Sequence, residues 1–167
     1  FIIYFDLNTL FRKFRYQTIS MFFLINCYFM VSVNHLILAG LPDNLGLKNQ
    51  LLSPCPVTPN CVSSQEKNSH NRIQPITFED SLEQAKMKIY RVINSMRGTR
   101  IIKQEDFYWH VEFTTQMLRF TDDVEFFFDR LRSLIHVRSA SRRGYWDLGV
   151  NRRRVETIRS RFEKLTN

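Results

Sequence analysis

Residues 119–154 read RFTDDVEFFFDRLRSLIHVRSASRRGYWDLGVNRRR. Val124, Phe126 and Phe128 alternate with Asp123, Glu125 and Phe127, and Leu134-Ile135-His136-Val137-Arg138 follows after a tight connection through residues 129–132. This is the period-two pattern of two strands joined as a hairpin. In such a hairpin Glu125 falls opposite or diagonal to Arg138, within cross-strand reach. Carboxylates and arginines are therefore interleaved with aromatic and branched side chains that must be buried, which places most of the charges on or beside the core.

Working outward, Phe107, Trp109, Val111 and Phe113 alternate with Tyr108, His110, Glu112 and Thr114, which predicts a strand with one buried face, and residues 100–104 form a short strand before it. Upstream, Thr77-Phe78-Glu79-Asp80 predicts a helix start, with the Thr77 oxygen taking a free N–H and the acids opposing the helix dipole. Leu82, Ala85, Ile89, Val92, Ile93 and Met96 then recur at helical spacing, and Gly98 supplies a stop. Downstream, Val155, Ile158, Phe162 and Leu165 form the stripe of a second amphipathic helix over residues 151–165, with Asn151 as its cap. Arg152, Arg153 and Arg154 occupy its first turn, where the dipole disfavours a cation by about 0.3–1 kcal/mol. A negative group is expected beside them. Strands in succession between two helices predict an α+β domain, an antiparallel sheet of about four strands flanked by the two helices.

The chain has 167 residues, 44% hydrophobic and 24% charged, enough for one globular domain with an N-terminal extension. The net charge is +8, and residues 130–167 carry 11 Lys+Arg against 3 Asp+Glu, so that segment holds the whole excess. This describes a local basic surface rather than a generally basic protein, and the acids beside it argue against nucleic-acid binding.

Between Tyr16 and Pro42 there is no charged side chain, and Arg12, Lys13 and Arg15 precede the segment. Its length suits a bilayer span of about 20 residues with the basic flank retained on the cytoplasmic side. Residues 1–41 are accordingly expected to form a hydrophobic signal or anchor helix; Met21 is a candidate initiator that would remove the basic flank. Residues 42–72 hold four of the five prolines among Asn and Ser, an extended linker in which no helix is expected. The folded domain is expected over residues 73–167. Cys55 and Cys61 lie six apart in CPVTPNC, the spacing of a small disulfide loop in an exported chain, with buried thiols or a metal pair as alternatives. No metal site is expected, since structural zinc takes four ligands and only His70 lies near.

Three stretches, CPVTPNCVSS, FTDDVEF and IHVRSASRRGYWDLGVNRRRVETIR, resemble the DUF1499 family, a group of bacterial and plastid proteins of unknown function. The resemblance spans residues 55–161. It implies an N-terminal export or anchor segment, and hence a membrane-anchored or exported protein of the periplasm or thylakoid lumen. Asn26 stands where a lipobox ahead of Cys27 needs a small residue, so lipid attachment is not expected. The family has no settled activity to carry over.

Two uses of the charged stretch compete. Asp122, Asp123, Glu125 and Asp147 with Arg138 can form structural ion pairs that pin the loop to the sheet, through planar guanidinium–carboxylate bonds. Alternatively Arg138, Arg142, Arg143, Arg152, Arg153 and Arg154, with Tyr145 and Trp146 as an aromatic wall, can hold an anionic small molecule, a lipid headgroup or a protein partner at the start of the last helix. Tyr145 and Trp146 can equally close the core. An enzyme would use Asp123 or Glu125 as general base and His136 or His110 as proton shuttle, although both histidines read as outward strand residues. No cofactor is expected. The reading on balance is a non-enzymatic module that binds an anionic partner through the arginine-rich loop, with a hydrolase using a carboxylate pair as the alternative.

Overall fold

The structure, a computed structural model, describes residues 42–115 and 119–165. In chain order its elements are β1 (Leu47–Lys48), β2 (Leu51–Leu52), β3 (Cys61–Ser63), β4 (Ile76–Thr77), α1 (Leu82–Asn94), β5 (Thr99–Gln104), β6 (Tyr108–Thr114), β7 (Thr121–Asp129), β8 (Leu134–Ser141) and α2 (Val150–Lys164). The expected N-terminal helix falls in residues 1–41, outside the described residues. Among the described residues no helix is long and apolar enough to cross a membrane.

The fold is α+β, and the sheet is larger than the four strands expected. Six antiparallel strands run in the order β3-β8-β7-β6-β5, with β4 also pairing β8, while β1 and β2 form a separate ribbon. β3 and β4 come from the Pro-rich stretch and its end, where three and two residues are too few to show a period. The stretch expected to be a linker therefore contributes to the sheet. At the centre, β7 and β8 pair from Asp122↔Ser141 to Asp129↔Leu134, with Glu125 directly opposite Arg138.

One sheet face carries the apolar core. Val111, Phe113, Val124, Phe126, Phe128, Ile135 and Val137 meet Ile89, Val92 and Ile93 of α1 and Val155, Ile158 and Phe162 of α2. Each such side chain, moved from water to full burial, stabilises the fold by about 1.5–3 kcal/mol. Trp109 belongs to the same cluster, stands edge-on to Phe128 with centroids 5.1 Å apart, and donates its Nε1 proton to the Glu105 carbonyl.

The other face is not open, contrary to the one-sided burial expected of β6. Tyr108, His110 and Glu112 are buried, and so are Asp123, Glu125, Phe127 and Asp129 on β7. The β1–β2 ribbon supplies part of the cover: Leu47 and Leu52 pack on Tyr108 and Phe127. His110, expected to face outward, is therefore an interior residue.

Helix boundaries also differ from expectation. α1 is capped by Ser81, whose hydroxyl accepts the Gln84 N–H while the Gln84 side chain accepts the Ser81 N–H. Thr77 cannot cap it because it pairs with Leu134 in the sheet. The helix ends at Asn94 with Ser95 as its C-cap, ahead of Gly98. Gly98 serves the following turn instead: its φ is +74°, and an added Cβ would lie 2.2 Å from the Thr114 carbonyl oxygen. α2 has Gly149 at its N-cap, and Asn151 lies inside the first turn, fully buried.

Candidate functional site

Alternation along β7 sends its three neighbouring acids to different faces. Asp123 and Glu125 point to the face beneath the ribbon, while Asp122 shares the helix-covered face with Phe113, its cross-strand partner. They cannot converge on one ion, and each acid has its own partners.

Glu125 and Arg138 form the innermost pair, with side chains 0% and 2% exposed and Arg138 Nη1 donating to Glu125 Oε2 over 2.8 Å. The second carboxylate oxygen accepts the Tyr108 hydroxyl proton and the Gly46 backbone N–H, each at 2.8 Å. Burial first, and the adjacent carboxylate second, push the Tyr108 phenol well above its ordinary range. Glu125 thus ties the start of the ribbon to the centre of the sheet. Arg138 Nε is buried with no hydrogen-bond partner among the described residues.

Asp123 heads a second cluster. His110 Nε2 lies 2.7 Å from Asp123 Oδ1, and Arg142 donates through Nε and Nη2 to the two Asp123 oxygens at 2.8 Å each. Arg142 Nη2 also bonds Glu112, whose other oxygen accepts two bonds from Arg100. Burial opposes ionisation of Asp123, but the Arg142 and His110 hydrogen bonds outweigh it and hold the carboxyl below its usual range. The same contest, with Arg100 and Arg142 as donors, holds Glu112 low. Arg142 is in turn held charged more firmly than an ordinary guanidinium, chiefly by Asp123.

On the helix-covered face Asp122 pairs with Arg154, whose guanidinium lies 4.9 Å from the Phe113 ring centroid. Arg154 Nη1 donates to Asn151 Oδ1 at 2.7 Å and to the Ser139 hydroxyl at 3.1 Å. Asn151 Nδ2 donates to the Asn60 carbonyl, the Ser141 hydroxyl and Asp147 Oδ2. Asp147 makes no ion pair among the described contacts; its carboxylate accepts the Gly149 and Asn151 backbone N–H groups at 2.9 and 2.8 Å. It is the negative group expected at the start of the last helix, together with Asp122.

The remaining candidates fall into two groups. Arg152 donates to the carbonyls of His70 and Arg72, and Arg153 to that of Leu148. Arg143 is half-buried in the same loop. Tyr145 and Trp146 do not close the core: they are 72% and 65% exposed, and Leu148 is 62% exposed. His136 stands apart from the acids of the centre, stacked on Phe127 at 5.8 Å with its Nδ1 3.1 Å from the Ser64 hydroxyl. Burial first depresses its pKa, and Arg132 adds to this.

Cys55 and Cys61 are joined in a disulfide. Beside it, Asn60 Nδ2 donates to the Gly144 carbonyl at 2.6 Å, and the Asn60 carbonyl accepts from the Ser141 N–H as well as from Asn151. Glu66 accepts the Cys55 N–H, the main cause of its lowered pKa. Asn60, Tyr108, His110, Glu112 and Arg100 are the contributors that the charge pattern of residues 119–154 does not reveal. The polar positions of β6 carry a signal for two of them, because cross-strand register puts His110 and Glu112 opposite Glu125 and Asp123. Asn60 has none.

The sequence model of the family described as "Protein of unknown function (DUF1499)" matches residues 51–162. Among curated proteins, none matches the chain.

Proposed function

The chain belongs to the DUF1499 family of proteins of unknown function, and we propose that it is a non-enzymatic binding module whose recognition surface is the loop between β8 and α2. The observation that carries this reading is the division of labour within the arginine-rich stretch. Arg138, Arg142 and Arg154 are consumed by buried acids, whereas Tyr145, Trp146 and Leu148 stand in solvent between Arg143 and the Arg152–Arg153 pair. The loop backbone is held at both ends, by Asn60 on Gly144 and by Asp147 on Gly149 and Asn151. A surface already ordered loses little conformational entropy when a partner arrives. Arg152 and Arg153 donate to neutral backbone carbonyls, so their charge favours an acidic partner.

The hydrolase alternative is less well supported. Asp123 and Glu125 are engaged by Arg142 and Arg138, and parting Glu125 from Arg138 would leave both charges buried without an ion-pair partner.

Tryptophan emission tests the proposal, because Trp146 is exposed and Trp109 is buried. Titration with inorganic phosphate, phosphoserine, polyglutamate and a soluble short-chain phosphatidylserine is expected to shift the emission for at least one of them. The shift should vanish in Trp146→Phe and weaken in Arg153→Gln. No effect on Trp146 from this panel or from phosphatidylserine vesicles, or an effect that survives Trp146→Phe, would refute the binding reading.

A further inference from the structure

We infer that the acidic partner is the surface of an anionic lipid bilayer, met by two neighbouring loops; this rests on the binding reading above. The first loop is the disulfide-closed residues 55–61, where Val57 at its tip is 104% exposed and Pro56 and Pro59 are exposed beside it. The second is the Tyr145–Leu148 loop. The Asn60–Gly144 hydrogen bond joins them directly.

Three features of this double tip select a bilayer. Side chains more than six-tenths exposed do not enclose a small anion, so the surface suits an extended partner rather than a pocket ligand. Tyr and Trp combine an apolar ring with a polar edge, the pairing suited to the boundary between headgroups and acyl chains, and Val57 and Leu148 add purely apolar contacts. The charge is complementary. Arg152 and Arg153 flank the tip, and Arg153 uses one of its five guanidinium donors on Leu148 and leaves others for phosphate or carboxylate oxygens. The acid within the loop, Asp147, turns its oxygens to the Gly149 and Asn151 N–H groups and the Asn151 side chain at the start of the helix. Both loops are braced, one by a disulfide and the other by part-buried hydrogen bonds at its two ends, which holds the apolar tips outward.

The test uses the full chain with vesicles of phosphatidylcholine alone or mixed with phosphatidylserine, each with and without brominated acyl chains. Subtracting the emission of Trp146→Phe isolates Trp146 and makes the readout independent of any other segment that touches the vesicle. Trp146 emission is expected to move to the blue and to be quenched by bromine several-fold more on phosphatidylserine vesicles than on phosphatidylcholine. High salt and Arg152→Gln/Arg153→Gln should each reduce the quenching, and Val57→Ser should reduce it without changing the unfolding midpoint. A Trp146 signal that ignores both vesicle types overturns the inference. If polyglutamate or phosphate shifts Trp146 while vesicles do not, the loop binds a soluble acidic partner: the lipid inference falls and the binding reading stands.

Discussion

Arg138 is the residue on which the sheet's hidden face depends. Its guanidinium and the Glu125 carboxylate are sealed from water, so removing one leaves the other charged and unsolvated. Arg138→Ala is expected to destabilise the fold by about 3–5 kcal/mol in denaturant unfolding, whereas replacing both residues by apolar ones of similar volume should recover much of that loss. A single variant within experimental error of the parent would show the pair to be dispensable. The titratable groups add a pH signature with two windows. His136 is depressed, so the unfolded chain takes up a proton near pH 6.5 before the folded chain does, and stability falls as pH drops below about 7 until the folded group also protonates. Asp123 and Glu112 are depressed carboxyls, so their contribution is complete only above about pH 5 and is lost as pH falls from there through their folded values. Unfolding midpoints measured against pH should show both losses, and His136→Gln should remove the first alone. Stability that rises on acidification from neutrality would contradict this assignment.

Among the elements, α2 has the least conventional start. Gly149 at the N-cap has no side chain to accept a helical N–H, three arginines follow, and Asp147 supplies the missing acceptor from two residues upstream. Asp147→Ala should therefore cost about 1–2 kcal/mol, at the upper end for a lost cap, and should raise hydrogen exchange in the first turn of α2. Unchanged exchange there would mean that the turn is held by its other contacts. The conflict between cations and dipole was legible in Arg152–Arg154, but its resolution was not, because an acceptor before a glycine cap leaves no standard signature. The start of α1 was expected at Thr77, but Thr77 pairs with Leu134 in the sheet and the cap falls at Ser81. That pairing is a tertiary contact, invisible to local pattern.

Across the whole molecule, alternation made the β7–β8 hairpin and the Glu125–Arg138 register readable, since side-chain period and turn length together leave few pairings. What alternation could not convey was the second buried face. Tyr108, His110 and Glu112 look like a solvated edge of a strand until the β1–β2 ribbon and Arg142 cover them. Nor could sequence divide the arginines into those that brace and those that face outward, because both kinds occupy one continuous basic stretch. Equilibrium unfolding of Arg142→Ala beside Arg153→Ala measures that division. Arg142→Ala is expected to lose about 3 kcal/mol, since it leaves Asp123 with His110 alone and Glu112 with Arg100 alone, and Arg153→Ala to change stability by no more than about 0.5 kcal/mol. Equal losses in the two variants, or a stable Arg142→Ala, would show that the arginines are not divided in this way.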